Sequence, residues 1–299
     1  MRWEGQKESS NVEDRRGRGG FRPGGGIRTG GIGIGTLVIA LLGAWLFGVN
    51  PLTVIEMLGG GGGPVAIEQP QRSAPAPGGS QGAPGTDQER SFVAVVLGST
   101  EEVWSQLFAA SGSRYPAPRL VLYDGVTPTG CGTGSASAGP FYCPADQRVY
   151  IDLSFNRTLR DKLGAAGEAA QAYVIAHEVG HHIQNITGVM DKVQAARQRM
   201  SESDSNQLSI RLELQADCYA GIWANHSQQA RKWFDTADIE QAMRAAAAVG
   251  DDNIQRRSQG VVVPEAFTHG TSAQRVRWFR TGMETGSVQK CDTFNTGNS

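Results

Sequence analysis

The sequence predicts an α+β chain: a small β-sheet followed by a mainly helical domain, preceded by one transmembrane helix. Three observations carry this. Strand-like segments fall between residues 119 and 153, helical apolar spacing dominates from about 156 onward, and the first 90 residues hold most of the low-complexity sequence. The expected divisions are a basic disordered arm over 1–29, a membrane helix over 30–50, a flexible linker over 51–90 and one domain over 91–299.

The arm carries Arg2, Lys7, Arg15, Arg16, Arg18, Arg22 and Arg28 among glycines, without apolar periodicity. No charged residue occurs from Thr29 to Ile55, and Ile32–Val49 is almost wholly apolar or glycine. A bilayer crossing takes about 20 such residues. Arginines precede this stretch and none follows until Arg72, so the positive-inside rule puts the amino terminus in the cytoplasm and the domain outside. No small-x-small cleavage pattern follows the apolar run, which favours an uncleaved anchor over a signal peptide. Residues 59–90 begin with five glycines and continue in Pro, Ser, Gln and Ala, the composition of a tether.

Within the domain, Ser99-Thr100-Glu101-Glu102 reads as a capping box opening a helix with Val103, Leu107 and Phe108 on its apolar stripe. Arg119–Tyr123 reads as a strand, Asp124–Gly139 as a turn-rich loop, and Phe141-Tyr142 as a short strand ending at Pro144. Arg148–Leu153 alternates as a half-buried strand. Helices are expected at about 156–164, 168–186, 190–201, 205–226, 236–249 and 271–285, with Thr236 and Thr271 or Ser272 as amino-terminal caps.

The formal charge of −1 gives no sign of a nucleic-acid partner. Cys131, Cys143, Cys218 and Cys291 all follow the apolar segment, so an oxidising compartment would pair them. Three pairings are open. Cys131 with Cys143 closes a short loop, worth about 3 kcal/mol in the chain-entropy account; Cys218 with Cys291 would pin the chain end to a helix.

The most informative local feature is His177-Glu178-Val179-Gly180-His181, in an apolar helical run and in a chain with only five histidines. One helical turn separates the two imidazoles, so they can grip one zinc ion while Glu178 serves as a general base. A buried helix bearing these groups needs partners for them, and a metal supplies partners. The third ligand is expected in Arg211–Ala224: Glu213 and Asp217 share a face, with Glu213 binding zinc and Asp217 accepting the N–H of a ligand histidine. His182 points about 100° away from His181 and reads as a group supporting the ligands from behind or as a structural one, rather than as a ligand; His226 reads as a helix-end residue. The remaining charges on 190–211 and 228–257 read as solvated faces.

HExxH followed by a helical Glu-x-x-x-Asp is similar to the gluzincin metallopeptidases. More narrowly, Gly139–Asp146, Val149–Leu153, Ala172–His182, Glu213–Gly221, Thr268–Arg275 and Cys291–Phe294 resemble the bacterial putative neutral zinc metallopeptidase family, over roughly residues 88–299. The resemblance implies a zincin-like fold, one Zn2+ per chain and a peptide or polypeptide substrate. It implies substrate lying extended along the edge strand before the metal helix, here within Gly139–Leu153. It also suggests His269 as an oxyanion donor, because Thr268-His269-Gly270 stands ahead of a helical Arg275 as a His-Pro element does in related membrane-associated enzymes. Tyr219 is the rival donor. The function expected is a membrane-anchored zinc endopeptidase. The alternatives are a zinc-stabilised envelope module that binds without hydrolysis, or a purely structural envelope protein; an intact Glu178 favours the enzyme, since binding needs no general base.

Overall fold

A computed structural model describes residues 1–17 and 84–295 of the chain. The expected transmembrane helix at 30–50 lies outside the described residues, as does most of the linker. Among the described residues no helix is long and apolar enough to cross a membrane.

The architecture is mixed α and β, mostly helical, with two small sheets. The larger sheet has the order β1 (Val12–Asp14), β2 (Arg119–Tyr123), β6 (Arg148–Asp152), β5 (Phe141–Cys143). β1 and β2 are parallel, as are β2 and β6, while β5 runs antiparallel to β6 with Phe141 opposite Tyr150. Period-two alternation sorts the side chains onto two faces. Leu120, Leu122, Val149 and Ile151 enter the main core beneath the helices. Val121, Tyr123, Tyr150 and Cys143 form a second cluster on the other face.

That second face overturns the half-buried reading of 148–153, because Tyr150 and Asp152 are buried too. On that face Phe141 stacks on the Tyr150 ring with centroids 5.0 Å apart and Arg15 lies over it at 5.9 Å; the expected loop itself forms a hairpin, β3 (Val126–Thr129) and β4 (Gly132–Ser135). Asp152 accepts the Gly125 amide at 2.7 Å and the Ser154 amide at 2.8 Å, so its carboxylate is satisfied. The Cys131–Cys143 disulfide ties the hairpin tip to β5.

Two expectations near the amino terminus are corrected. Residues 1–17 do not form a disordered arm. Trp3 is buried edge-on against Phe92, with ring centroids 5.3 Å apart, and Val12–Asp14 add a strand to the sheet. Burying a tryptophan covers about 150–250 Å², or roughly 4–6 kcal/mol at the usual coefficient. The arm's polar composition hides this, because its side chains are satisfied by partners distant in sequence: Ser9 and Asn11 both donate to Glu101. Nor does the linker reach residue 90, or a helix start at Ser99. Helix α1 runs unbroken over Pro84–Ala110. Ser99 is internal and buried, 3.0 Å from Ser227 Oγ and accepting from Trp223 Nε1 at 3.0 Å.

The later helices are α2 (Phe155–Asp161), α3 (Glu168–Ile186), α4 (Val189–Arg197), α5 (Glu202–Arg231), α6 (Thr236–Ala248), α7 (Asp251–Gln259) and α8 (Ser272–Thr285). All but α7 match expected helices to within a few residues; α5 is longer at both ends. Asp235 rather than Thr236 caps α6, in a reciprocal box with Asp238, and Thr271 caps α8 in a box with Gln274.

Two glycine contacts set the helix spacing around the site. A Cβ on Gly180 would lie 2.9 Å from the Ala216 carbonyl oxygen and 3.0 Å from Ala216 Cα, so glycine lets α3 and α5 approach closely. Gly221 and Gly282 do the same where α5 crosses α8; a Cβ on Gly221 would clash with the Phe279 carbonyl. The Cys218–Cys291 disulfide then holds the carboxy-terminal segment against α5.

Candidate metal centre

Helix α3 presents His177, Glu178 and His181, all buried, toward α5, which presents Glu213 and Asp217. The ligand atoms of His177, His181 and Glu213 lie within 4.8 Å of one another. His177 Nε2 is 3.2 Å from Glu213 Oε2, and His181 Nε2 is 3.4 Å from Glu213 Oε1. Tetrahedral zinc with bonds of 2.0–2.1 Å places neighbouring donor atoms about 3.3 Å apart, so the donor set fits that ion.

Both outer imidazole nitrogens are committed elsewhere. His177 Nδ1 is 2.8 Å from Asp217 Oδ1, and His181 Nδ1 is 2.8 Å from Gln184 Oε1. Each acceptor requires an Nδ1–H, which leaves the Nε2 lone pairs for a metal. Asp217 is fully buried and does more than orient one ring. It takes two hydrogen bonds from Arg275, Nε to Oδ2 at 2.8 Å and Nη2 to Oδ1 at 2.9 Å, and one from the Tyr173 hydroxyl. Burial pushes the Asp217 carboxyl up, but Arg275 and His177 outweigh it and hold the pKa below its ordinary value.

Behind His181 runs a relay of neutral groups. Gln184 Nε2 donates to the Leu212 carbonyl at 2.7 Å and to Gln215 Oε1 at 3.1 Å; Gln215 Nε2 donates to the Cys291 carbonyl at 3.1 Å. The second ligand ring is thus referred to the disulfide-held end of the chain.

The metal-free electrostatics suit this reading. Burial lowers the His177 pKa, yet the Asp217 and Glu213 carboxylates overcome it and raise it to about 9. Glu213 is held well below its usual range by His181 and His177, against its own burial. Burial raises the Glu178 carboxyl, partly offset by His181 and His177. Glu178 makes no hydrogen bond to a described residue, so its carboxylate is uncommitted.

The loop Thr268–Gly270 brings His269 into electrostatic contact with Glu213. His269 Nδ1 is 3.2 Å from Asp251 Oδ1, while Asp251 Oδ2 accepts the amides of Thr268, His269 and Gly270 at 2.8, 2.6 and 3.0 Å. Burial lowers the His269 pKa, but Asp251 and Glu213 raise it above its ordinary value. Tyr219 is not brought to the cluster: it packs edge-on against Trp104, with centroids 5.4 Å apart. Six residues beyond Glu213, it falls on another face of α5.

His182 is structural, as expected. Its Nε2 donates to the Pro116 carbonyl at 2.6 Å, leaving Nδ1 to accept from the Tyr142 hydroxyl at 3.1 Å, and so it joins α3 to β5. His226 lies one turn before the end of α5 and bonds the Gly286 carbonyl at 3.0 Å. Sequence reasoning missed Gln184, Gln215 and Asp251. Asp251 and Asp238 are buried, which corrects the assignment of charges in 228–257 to a solvated face.

The family model for the putative neutral zinc metallopeptidases matches residues 1–294. The chain is 46% identical to the uncharacterized protein YpfJ of Escherichia coli (strain K12) over 298 residues, 98% of this chain and 99% of that one. It is 38% identical over 272 residues to the uncharacterized proteins Rv2575 of Mycobacterium tuberculosis (strain H37Rv) and Mb2605 of Mycobacterium bovis, 85% of this chain and 86% of each relative. No solved structure matches the chain. The chain belongs to the putative neutral zinc metallopeptidase family.

Proposed function

We propose that this chain is a zinc-dependent endopeptidase that cleaves polypeptide bonds with Glu178 as general base. The observation that carries the reading is the His177–His181–Glu213 triangle, spaced for one tetrahedral ion and backed on both imidazoles by a hydrogen-bond acceptor. Bound zinc supplies Lewis acidity, making water acidic and a carbonyl electrophilic. Glu178, buried and free of other partners, takes the proton from the attacking water and later passes it to the leaving amine. His269, whose pKa burial lowers but Asp251 and Glu213 raise above its ordinary value, donates to the developing oxyanion. Substrate pairs in extended form with the edge strand β5, which Tyr142 and His182 fix relative to α3.

We place the chain at a membrane through its apolar segment at 30–50, with the domain on an oxidising side where its two disulfides persist. The test of catalysis is removal of the metal. Chelator-treated full-length protein should lose hydrolysis of an unfolded polypeptide and regain it with zinc. Polypeptide binding without hydrolysis in the zinc-loaded form would instead support the binding module.

A further inference from the structure

Residues 1–17 are part of the domain, not an appendage to it. Between them and α1 lies Thr29–Ile55, an uncharged and largely apolar stretch long enough to span a membrane. Beyond the strand pairing, the Ser9 amide donates to the Ala94 carbonyl at 2.9 Å, and the Arg15 amide to the Leu122 carbonyl at 2.8 Å. The Trp3 indole donates to Glu168 at 2.9 Å, at the first residue of the helix that carries the HExxH motif. Gly98 marks how tightly the segment lies on α1: a Cβ there would sit 3.0 Å from the Lys7 carbonyl oxygen.

The two points where residues 18–83 join the domain are also close together. Arg90, in the second turn of α1, reaches Asp14 at 4.0 Å and Glu8 at 3.4 Å, while the Gly17 amide binds Asp124 at 2.9 Å. The described chain therefore stops and resumes on one side of the domain. A single crossing by Thr29–Ile55 would put residues 1–17 and 84–295 on opposite sides of the bilayer, and this sheet could not form. Two helical crossings need about 40 apolar residues, more than the stretch contains.

We infer that residues 1–17 and the metallopeptidase domain occupy the same side of the membrane. This replaces the inside-to-outside topology that the arginine distribution suggests. It does not rest on catalysis.

The test uses the full-length chain in intact cells, with one cysteine introduced at an exposed position on each part: Ser10→Cys in one variant, Glu202→Cys in another. Both sites are exposed and neither touches the metal centre. A membrane-impermeant maleimide is applied before and after permeabilisation, and modification of each peptide is read by mass spectrometry. The expected result is the same pattern at both positions, each labelled from outside or each labelled only after permeabilisation. Labelling of Glu202→Cys from outside with Ser10→Cys protected, or the reverse, overturns the inference.

Discussion

Gly180 occupies a variable position of the HExxH pattern, and the fold makes it a determinant of the metal centre. In Gly180→Ala the new Cβ meets the Ala216 carbonyl oxygen at 2.9 Å, where ordinary contact begins at 3.4 Å. Both neighbours are helix backbone, so α3 and α5 must part by about 0.5 Å, a displacement beyond the ±0.2 Å that ligand distances tolerate. His177 and His181 ride on one helix and Glu213 on the other, so the triangle opens along its 3.2 Å and 3.4 Å edges. Zinc affinity should fall by about 10–100-fold, the range seen when ligand placement is disturbed. Stability should change less. Overpacking costs about 1–3 kcal/mol, and replacing a mid-helix glycine by alanine returns about 1 kcal/mol. The assay is zinc affinity by competition with a chromogenic chelator, beside thermal unfolding of the metal-free protein. A native zinc affinity in a folded Gly180→Ala protein would refute the claim that this approach sets the triangle.

Gln184→Ala should lower zinc affinity by about 10–100-fold by releasing His181; chelator competition reads it. Arg275→Met leaves Asp217 buried without its cation and should destabilise the protein by roughly 3–5 kcal/mol, read by denaturant unfolding. Zinc must displace the proton from His177, whose metal-free pKa is about 9, so affinity should rise about tenfold per pH unit between roughly pH 7 and 8; a flat profile would contradict the assignment. The metal-free fold shows the complementary sign. The His177 pKa is raised above its unfolded value of 6.5, so its contribution is present below about pH 6.5 and is lost as pH rises through about 9.

The parts of the site legible in the sequence obey short periodicities. His177 with His181, and Glu213 with Asp217, repeat at one helical turn inside apolar runs, and an ionisable pair in such a run demands a partner. Gln184 leaves no such mark: a neutral amide in a helix reads as ordinary until its acceptor, His181 Nδ1, is seen. Asp251 begins a short, charged helix with a weak apolar stripe, and only the tertiary fold closes the loop at 268–270 over its carboxylate. Strand β1 was invisible because Val12-Glu13-Asp14 has no alternation; its pairing comes from β2, more than a hundred residues away. The continuous α1 was hidden by Gly98 and Ser99, which imitate a helix start and instead allow close contacts with residues 7–9 and with Ser227.

The most direct test of the central claim compares zinc-loaded full-length protein with its Glu178→Gln form on a broad mixture of unfolded polypeptides. New amino termini are read by mass spectrometry. The native form should generate cleavages, and the Glu178→Gln form, with zinc retained, should be slower by about 10²–10⁴-fold. Equal silence from both zinc-loaded forms, or equal cleavage by both, would contradict the assignment of Glu178 as the base of a peptidase.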